Sequence, residues 1–210
     1  MANIVKYYRR GRHPKGFWGK QALKAMNGPR HAALPEWVME QIQVSEDARV
    51  LDVGCGGGAN VSRLLALCPK GTVTGLDISA AAIDMTKELN YRAFVDKLCN
   101  VAGGNALQIP LVKETYDLVT AFETIYYWSS LVSGAEEMFR VLKPGGMCVI
   151  ANEMDGEGEE DRKMERSVGG IRIYSIAEIK EDLTEAGFTD ITAAHDKERH
   201  FVCVIARKPK

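Results

Sequence analysis

The stretch Arg49-Val-Leu-Asp-Val-Gly-Cys-Gly-Gly-Gly58 is a short apolar strand that runs without a break into glycines. Beyond it, Val61, Leu64, Leu65 and Cys68 recur at helical spacing until Pro69 ends the run. A strand, a glycine turn and a helix therefore follow one another directly, and the rest of the chain repeats that alternation. Thr72–Asp77 reads as a second strand, and Ser79 is placed to cap a helix reaching about Asn90, with Ile83 on its inner face. Leu98–Gly103 is a third strand, and Tyr116–Phe122 is a fourth, apolar enough to be covered on both faces. A helix over about 131–142 turns Val132, Ala135, Met138, Phe139 and Leu142 inward. Lys143-Pro-Gly-Gly146 then turns the chain into a fifth strand, Met147–Ala151. Ser175-Ile-Ala-Glu178 is a capping box for a helix striped by Ile176, Ile179, Leu183 and Ala186 and stopped by Gly187. Two closing strands follow, over about 188–194 and 199–206.

This alternation predicts an α/β fold with a mostly parallel, doubly wound sheet. Residues 45–210 form that domain. Residues 1–44 stand apart as a basic, aromatic segment, and 152–172 also fall outside the pattern, with an acidic and flexible loop at Asp155, Glu157, Glu159, Glu160 and Asp161.

Composition narrows the function classes. The chain has 210 residues, 46% hydrophobic and 26% charged, with a formal net charge of −1. Such a balance suits a globular protein and argues against binding nucleic acid through bulk positive charge. The longest clean apolar run, Phe201–Ala206, is far short of the ~20 residues of a membrane span, and the sequence reads as cytoplasmic. The five cysteines are scattered and never form CxxC, so no metal centre or disulfide framework is expected. Charge is unevenly spread, however. Residues 1–30 carry eight bases and no acid, leaving 19 bases against 28 acids in the remainder. The basic segment can dock on the acidic body, bind an anionic ligand or touch RNA.

In an open parallel sheet, ligands sit beyond the carboxyl ends of the strands where the winding reverses. Gly54, Gly56 and Gly58 lie there, and with Ala59 they fit the dinucleotide pattern G-x-G-x-x-[GA], so a nicotinamide or flavin ligand stays open on this motif alone. Three neighbours narrow the choice. Asp52 precedes the glycines and suits an ammonium group better than a pyrophosphate. Asp77 ends the second strand, where a carboxylate can accept both ribose hydroxyls. Gly104-Asn105-Ala106 follows the third strand, where an amide can pair with a purine edge. Adenosine carrying an amino-acid head satisfies all three.

Val50-Leu-Asp-Val-Gly-Cys-Gly-Gly-Gly58, Gly75-Leu-Asp77, Gly104-Asn-Ala106, Tyr116-Asp-Leu-Val119 and Leu142-Lys-Pro-Gly-Gly146 together resemble the class I S-adenosylmethionine-dependent methyltransferases, over roughly residues 45–207. Within that family the chain looks like the small single-domain enzymes that methylate metabolites. The resemblance implies a Rossmann-like sheet of seven strands with the last antiparallel, S-adenosyl-L-methionine as cofactor and S-adenosyl-L-homocysteine as product. It further implies, position by position, that Gly54, Cys55 and Gly56, beside Asp52, meet the methionine part and that Asp77 holds the ribose. Ile78 would cover an adenine face, Gly104, Asn105 and Ala106 would meet its edge, and Phe122 and Glu123 would lie at the sulfonium end. The family more often has aspartate where this chain has Asn105, but an amide can also accept from an exocyclic amine.

Methyl transfer is an in-line displacement on an activated donor, so the protein chiefly aligns the reactants in a dry pocket. A base is needed only when the acceptor must lose a proton. The acceptor is a small molecule with an O, N or C nucleophile, approaching the loop after strand four. Glu123, Tyr126 and His31 are the candidate proton acceptors, and Phe17, Trp18, Tyr127, Trp128 and Glu153 are candidate substrate or lid residues. Residues 1–40 read as a cap that closes over the crevice, whereas His195 and His200 read as structural. Two other readings stand: RNA as the acceptor, gripped by the basic arm, or a non-catalytic S-adenosylmethionine-binding protein.

Overall fold

The computed structural model describes residue 14, residues 16–28 and residues 31–210. Most of the basic arm (Lys6, Arg9, Arg10, Arg12, Lys15 and Arg30) lies outside the described residues, as does the side chain of Phe17.

The quoted stretch becomes β1 (Arg49–Val53), which lies parallel between β2 (Thr72–Asp77) and β4 (Tyr116–Phe122). Beyond β2 is the edge strand β3 (Cys99–Gly103), and beyond β4 is β5 (Leu142–Asn152). Both partners of β7 (Phe201–Arg207) run antiparallel to it: β5 on one side and β6 (Thr189–Asp196) on the other. The order is β3-β2-β1-β4-β5-β7-β6, the expected seven-stranded Rossmann-like sheet with an antiparallel β7. The winding reverses between β1 and β4, and that reversal leaves a crevice at their carboxyl ends.

Both faces of the central strands are buried, which explains why they read as apolar runs rather than alternating ones. One face carries Leu51, Val53, Val119, Ala121 and Ile150 against α6 (Leu131–Val141) and α8 (Ile176–Glu185). The opposite face carries Val50, Leu118 and Val149 against α2 (Ala33–Met39) and α3 (Ala59–Leu67). Each fully buried Leu, Ile or Val contributes about 1.5–3 kcal/mol over its exposed state. Near β2, α1 (Gly16–Met26) lays Leu23 on Ala82 and Met85 of α4 (Ala80–Leu89), and the short α5 (Tyr91–Val95) follows.

The local signals for helix ends hold. Ser79 accepts from the Ala82 N–H, and Ser175 with Glu178 forms the expected capping box. Two expectations change. Lys143-Pro-Gly-Gly146 does not precede the strand but lies within β5, where a register shift between the Tyr116–Leu142 and Leu118–Met147 pairs absorbs the extra residues. Of the acidic stretch expected to be a flexible loop, Glu159, Glu160 and Asp161 open a helix instead, α7 (Glu159–Val168), while Asp155 and Glu157 stay in the loop before it. Its acids Glu159, Glu160 and Asp161 fill the first turn, where the helix dipole favours negative charge.

Candidate active site

The crevice has a volume of about 340 Å³, within the ~300–1,000 Å³ span of small-ligand pockets. Its floor is the glycine turn. The N–H groups of Gly54 and Cys55 both donate to the Leu76 carbonyl, at 2.7 and 3.0 Å, which folds the turn onto the end of β2. Gly54 and Gly56 have φ of +76° and +54°, a region that L side chains rarely adopt. A Cβ on Gly54 would also overlap Thr124 Oγ1, whereas one on Gly56 would meet nothing nearer than Leu23 Cδ2 at 3.9 Å. Main chain at Gly56 is therefore bare toward the crevice. The turn is braced from behind: Thr86 Oγ1 donates to the Gly56 carbonyl at 3.2 Å and Asn90 Nδ2 to the Gly58 carbonyl at 3.1 Å.

Asp77 stands at the crevice wall, its Oδ2 accepting from Gly56 N–H at 3.0 Å and its Oδ1 from Ser79 N–H at 2.8 Å. Beside it Ile78 is 54% exposed, an apolar face turned into the crevice. Gly104, Asn105 and Ala106 line the same end, with Asn105 Oδ1 accepting from Leu107 N–H at 3.0 Å. A bare backbone, a carboxylate and an exposed aliphatic wall suit a nucleoside joined to a small polar head. The amino-terminal segment forms the roof. Asn27 Nδ2 donates to the Gly57 carbonyl and Ser79 Oγ to the Pro14 carbonyl, each at 2.8 Å, while Leu23 and Met26 line the crevice.

The opposite end is made of side chains. Glu123 follows β4 directly with φ of +54°, a strained conformation for a residue with a side chain. Its Oε1 accepts from Tyr126 OH at 2.8 Å and from the Glu153 N–H. Burial, then the neighbouring Glu153 charge, raises the Glu123 carboxyl well above the usual carboxylate range, outweighing those two hydrogen bonds. Glu153 Oε1 lies 3.6 Å from His31 Nδ1, and Phe122, Tyr127 and Trp128 complete the wall. Trp128 also packs on α6, since a Cβ at Gly134 would overlap its ring.

The structure thus gathers most of the expected residues, with three corrections. Asp52 is only 1% exposed and lies beneath the turn rather than on the crevice wall; Thr120 Oγ1 donates to it at 2.8 Å, and burial pushes its carboxyl up to about 7. Tyr126 is fully buried behind Glu123, so it orients that carboxylate rather than meeting a substrate. Trp18 is 63% exposed on the outer side of α1 and does not line the crevice. Cys55 lines the crevice as expected, and its buried thiol turns to Thr86 Oγ1 at 3.5 Å with its pKa pushed up by burial. His195 and His200 do not enter the crevice: both face Asp155 Oδ2, at 3.2 and 2.8 Å, and pin the loop that follows Glu153. The roles of Asn27 and Thr124 escaped sequence reading. Each is an ordinary polar residue whose partner lies far along the chain or is a missing Cβ. Among the described residues no group of His, Cys, Asp or Glu side chains is arranged to hold a metal ion.

Comparison with known proteins agrees with this geometry. Residues 51–150 match the methyltransferase domain family. The chain is 32% identical over 164 residues to 24-methylenesterol C-methyltransferase 3 of Arabidopsis thaliana, covering 73% of this chain and 45% of that protein. It spans about half the length of the curated relatives it matches first. Among solved structures, a SAM dependent methyltransferase from Aquifex aeolicus superposes with a TM-score of 0.75 at 23% identity, covering 90% of this chain and 97% of that one. Geranyl diphosphate C-methyltransferase from Streptomyces coelicolor A3(2), solved with Mg2+, geranyl diphosphate and S-adenosyl-L-homocysteine, superposes with a TM-score of 0.74 at 18% identity, covering 93% and 87%. These two likenesses concern the fold.

Proposed function

We propose that this chain, which belongs to the class I S-adenosylmethionine-dependent methyltransferases, transfers a methyl group to a nucleophilic small molecule bound at the Glu123 end of the crevice. The observation that carries this reading is the crevice itself: bare main chain at Gly56 and the Asp77 carboxylate at one end, a cluster of polar and aromatic side chains at the other. When bound, S-adenosylmethionine supplies a methyl already activated as a sulfonium.

The remaining work belongs to the protein. Gly54, Cys55 and Gly56 offer backbone to the cofactor's amino-acid part. Asp77 accepts from the ribose hydroxyls, Ile78 covers the base, and Gly104, Asn105 and Ala106 border its edge. Phe122 and Glu123 sit at the junction between the two ends. Asn27, Leu23 and Met26 close the roof and exclude water, which strengthens every electrostatic contact inside.

A small acceptor is favoured over RNA because Asp77, Glu123 and Glu153 line the crevice and, among the described residues, no lysine or arginine does. Phosphates would be repelled there. The five buried cysteines are all free thiols, in keeping with a reducing, cytoplasmic setting. Calorimetry with S-adenosylhomocysteine and with NADH tests the reading. The thioether should bind and NADH should not, and the reverse result would replace a methyltransferase with a dinucleotide enzyme. Release of S-adenosylhomocysteine over a metabolite panel then separates an enzyme from a mere cofactor binder.

A further inference from the structure

The acceptor end carries two acidic side chains, Glu123 and Glu153, more than transfer to a neutral nucleophile requires. Glu123 and Glu153 both face the crevice, and the Glu153 backbone N–H donates to Glu123 Oε1, which holds the Glu123 carboxyl against the end of β5. Glu123 Oε2 accepts no hydrogen bond among the described residues. Burial and the neighbouring Glu153 charge favour the protonated form of Glu123, and a cation placed between the two side chains favours its ionised form. Phe122, Tyr127 and Trp128 line the same end, and aromatic faces attract cations. A carboxylate or phosphate acceptor would add negative charge beside these two acids, while an alcohol would bring no positive charge to them.

Resting on the methyltransferase reading above, we infer that the acceptor is an amine, bound as its ammonium form between Glu123 and Glu153 and methylated on nitrogen. Glu123 takes one N–H proton from the bound ammonium. The freed lone pair then forms the N–C bond to the methyl carbon, while the C–S bond breaks with its electrons left on sulfur. The methylated product is again an ammonium and stays paired with Glu153 until release, and Glu123 returns its proton to solvent. His31, beside Glu153, orients that carboxylate from the roof.

The test uses the whole chain loaded with S-adenosylhomocysteine, titrated calorimetrically with arylalkylamines and with their isosteric alcohols and carboxylates. Amines should bind, and Glu153→Gln should weaken them by about tenfold or more, as loss of one partner of a shielded charge pair does. S-adenosylhomocysteine affinity should stay within about twofold, because its main contacts lie at the other end. Glu123→Gln should leave amine binding measurable and lower kcat/KM for methyl transfer by about 100-fold, the scale of a lost general base. Alcohols or carboxylates binding as tightly as amines would overturn the inference. So would amine binding indifferent to Glu153→Gln, or no amine binding to a chain that does bind S-adenosylhomocysteine. Failure of the unsubstituted chain to bind S-adenosylhomocysteine would instead overturn the cofactor reading on which it rests.

Discussion

The two ends of the crevice are built from different materials. At the nucleoside end, the wall is main chain, the Asp77 carboxylate and the Ile78 and Asn105 side chains, all within the span from Gly54 to Ala106 and fixed by strand ends. At the acceptor end, the contacts are side chains from the end of β4, the end of β5 and the roof, which meet only when the sheet is assembled and the amino-terminal segment has docked. A main-chain site must be written locally, because only glycine removes the Cβ and tolerates positive φ. A side-chain site needs no local signature, since any carboxylate brought to the right place will serve. The first end should accordingly be intolerant of substitution and shared across the fold. The second is free to change with the substrate.

The sharpest way to break this contrast is Asp77→Ala. It removes both acceptors offered to the ribose, at about 1.5–3 kcal/mol for each hydrogen bond to a charged group, so cofactor affinity should fall by about 100-fold or more. Calorimetry with S-adenosylhomocysteine measures it, and near-normal affinity would mean that the ribose lies elsewhere. Tyr126→Phe probes the other end with a smaller effect. The Tyr126 hydroxyl favours the ionised Glu123 carboxylate, so its removal should raise the Glu123 pKa further. Because the ionised form accepts the proton, the acid limb of the kcat/KM profile should move to higher pH. At neutral pH the rate should drop about fivefold, the scale of a net ~1 kcal/mol hydrogen bond. Cofactor affinity should not change.

Asn27→Ala asks whether the roof belongs to the nucleoside end. Losing its bond to the Gly57 carbonyl should weaken S-adenosylhomocysteine about three- to tenfold, from a net ~0.5–1.5 kcal/mol. No change would show that the segment does not close over the cofactor. The smallest effect is expected at His200, on the pin behind Glu153. Its hydrogen bond to Asp155 raises the His200 pKa and helps hold the Asp155 carboxyl low. A raised histidine pKa gives stability that is fully present below the unfolded value of about 6.5 and is lost as pH climbs through the folded value. The lowered Asp155 pKa gives stability that disappears as the solution is acidified. Thermal melts of His200→Asn should therefore show the largest deficit near pH 5–6, only ~0.2–1 kcal/mol because His200 is exposed. A deficit that grows toward pH 8 would contradict the pairing.

The legibility of each region follows the same division. The strands, the capping serines Ser79 and Ser175 and the glycine turn could be read because hydrophobic period, cap chemistry and missing Cβ atoms are local properties of a sequence. Asp77 and Ile78 can be placed on the crevice wall because a strand end fixes their position. Asp52 lies off the crevice wall because alternation along β1 points it to the face carrying Thr120. Tyr126 and Trp18 were misjudged because their burial depends on neighbours remote in sequence. Asn27 and Thr124 carried no readable signal at all.

From the sequence alone come the alternating elements, the closing antiparallel pair and the glycine turn at the end of β1, since each is encoded by neighbouring residues. Tertiary structure alone decided that Glu123, Glu153 and His31 share one space and that Tyr126 stands behind them. It also decided that the histidines of the closing strands grip the loop at Asp155. Those meetings join chain segments up to 122 residues apart, from His31 to Glu153, and depend on the packing of whole layers, which no local pattern encodes.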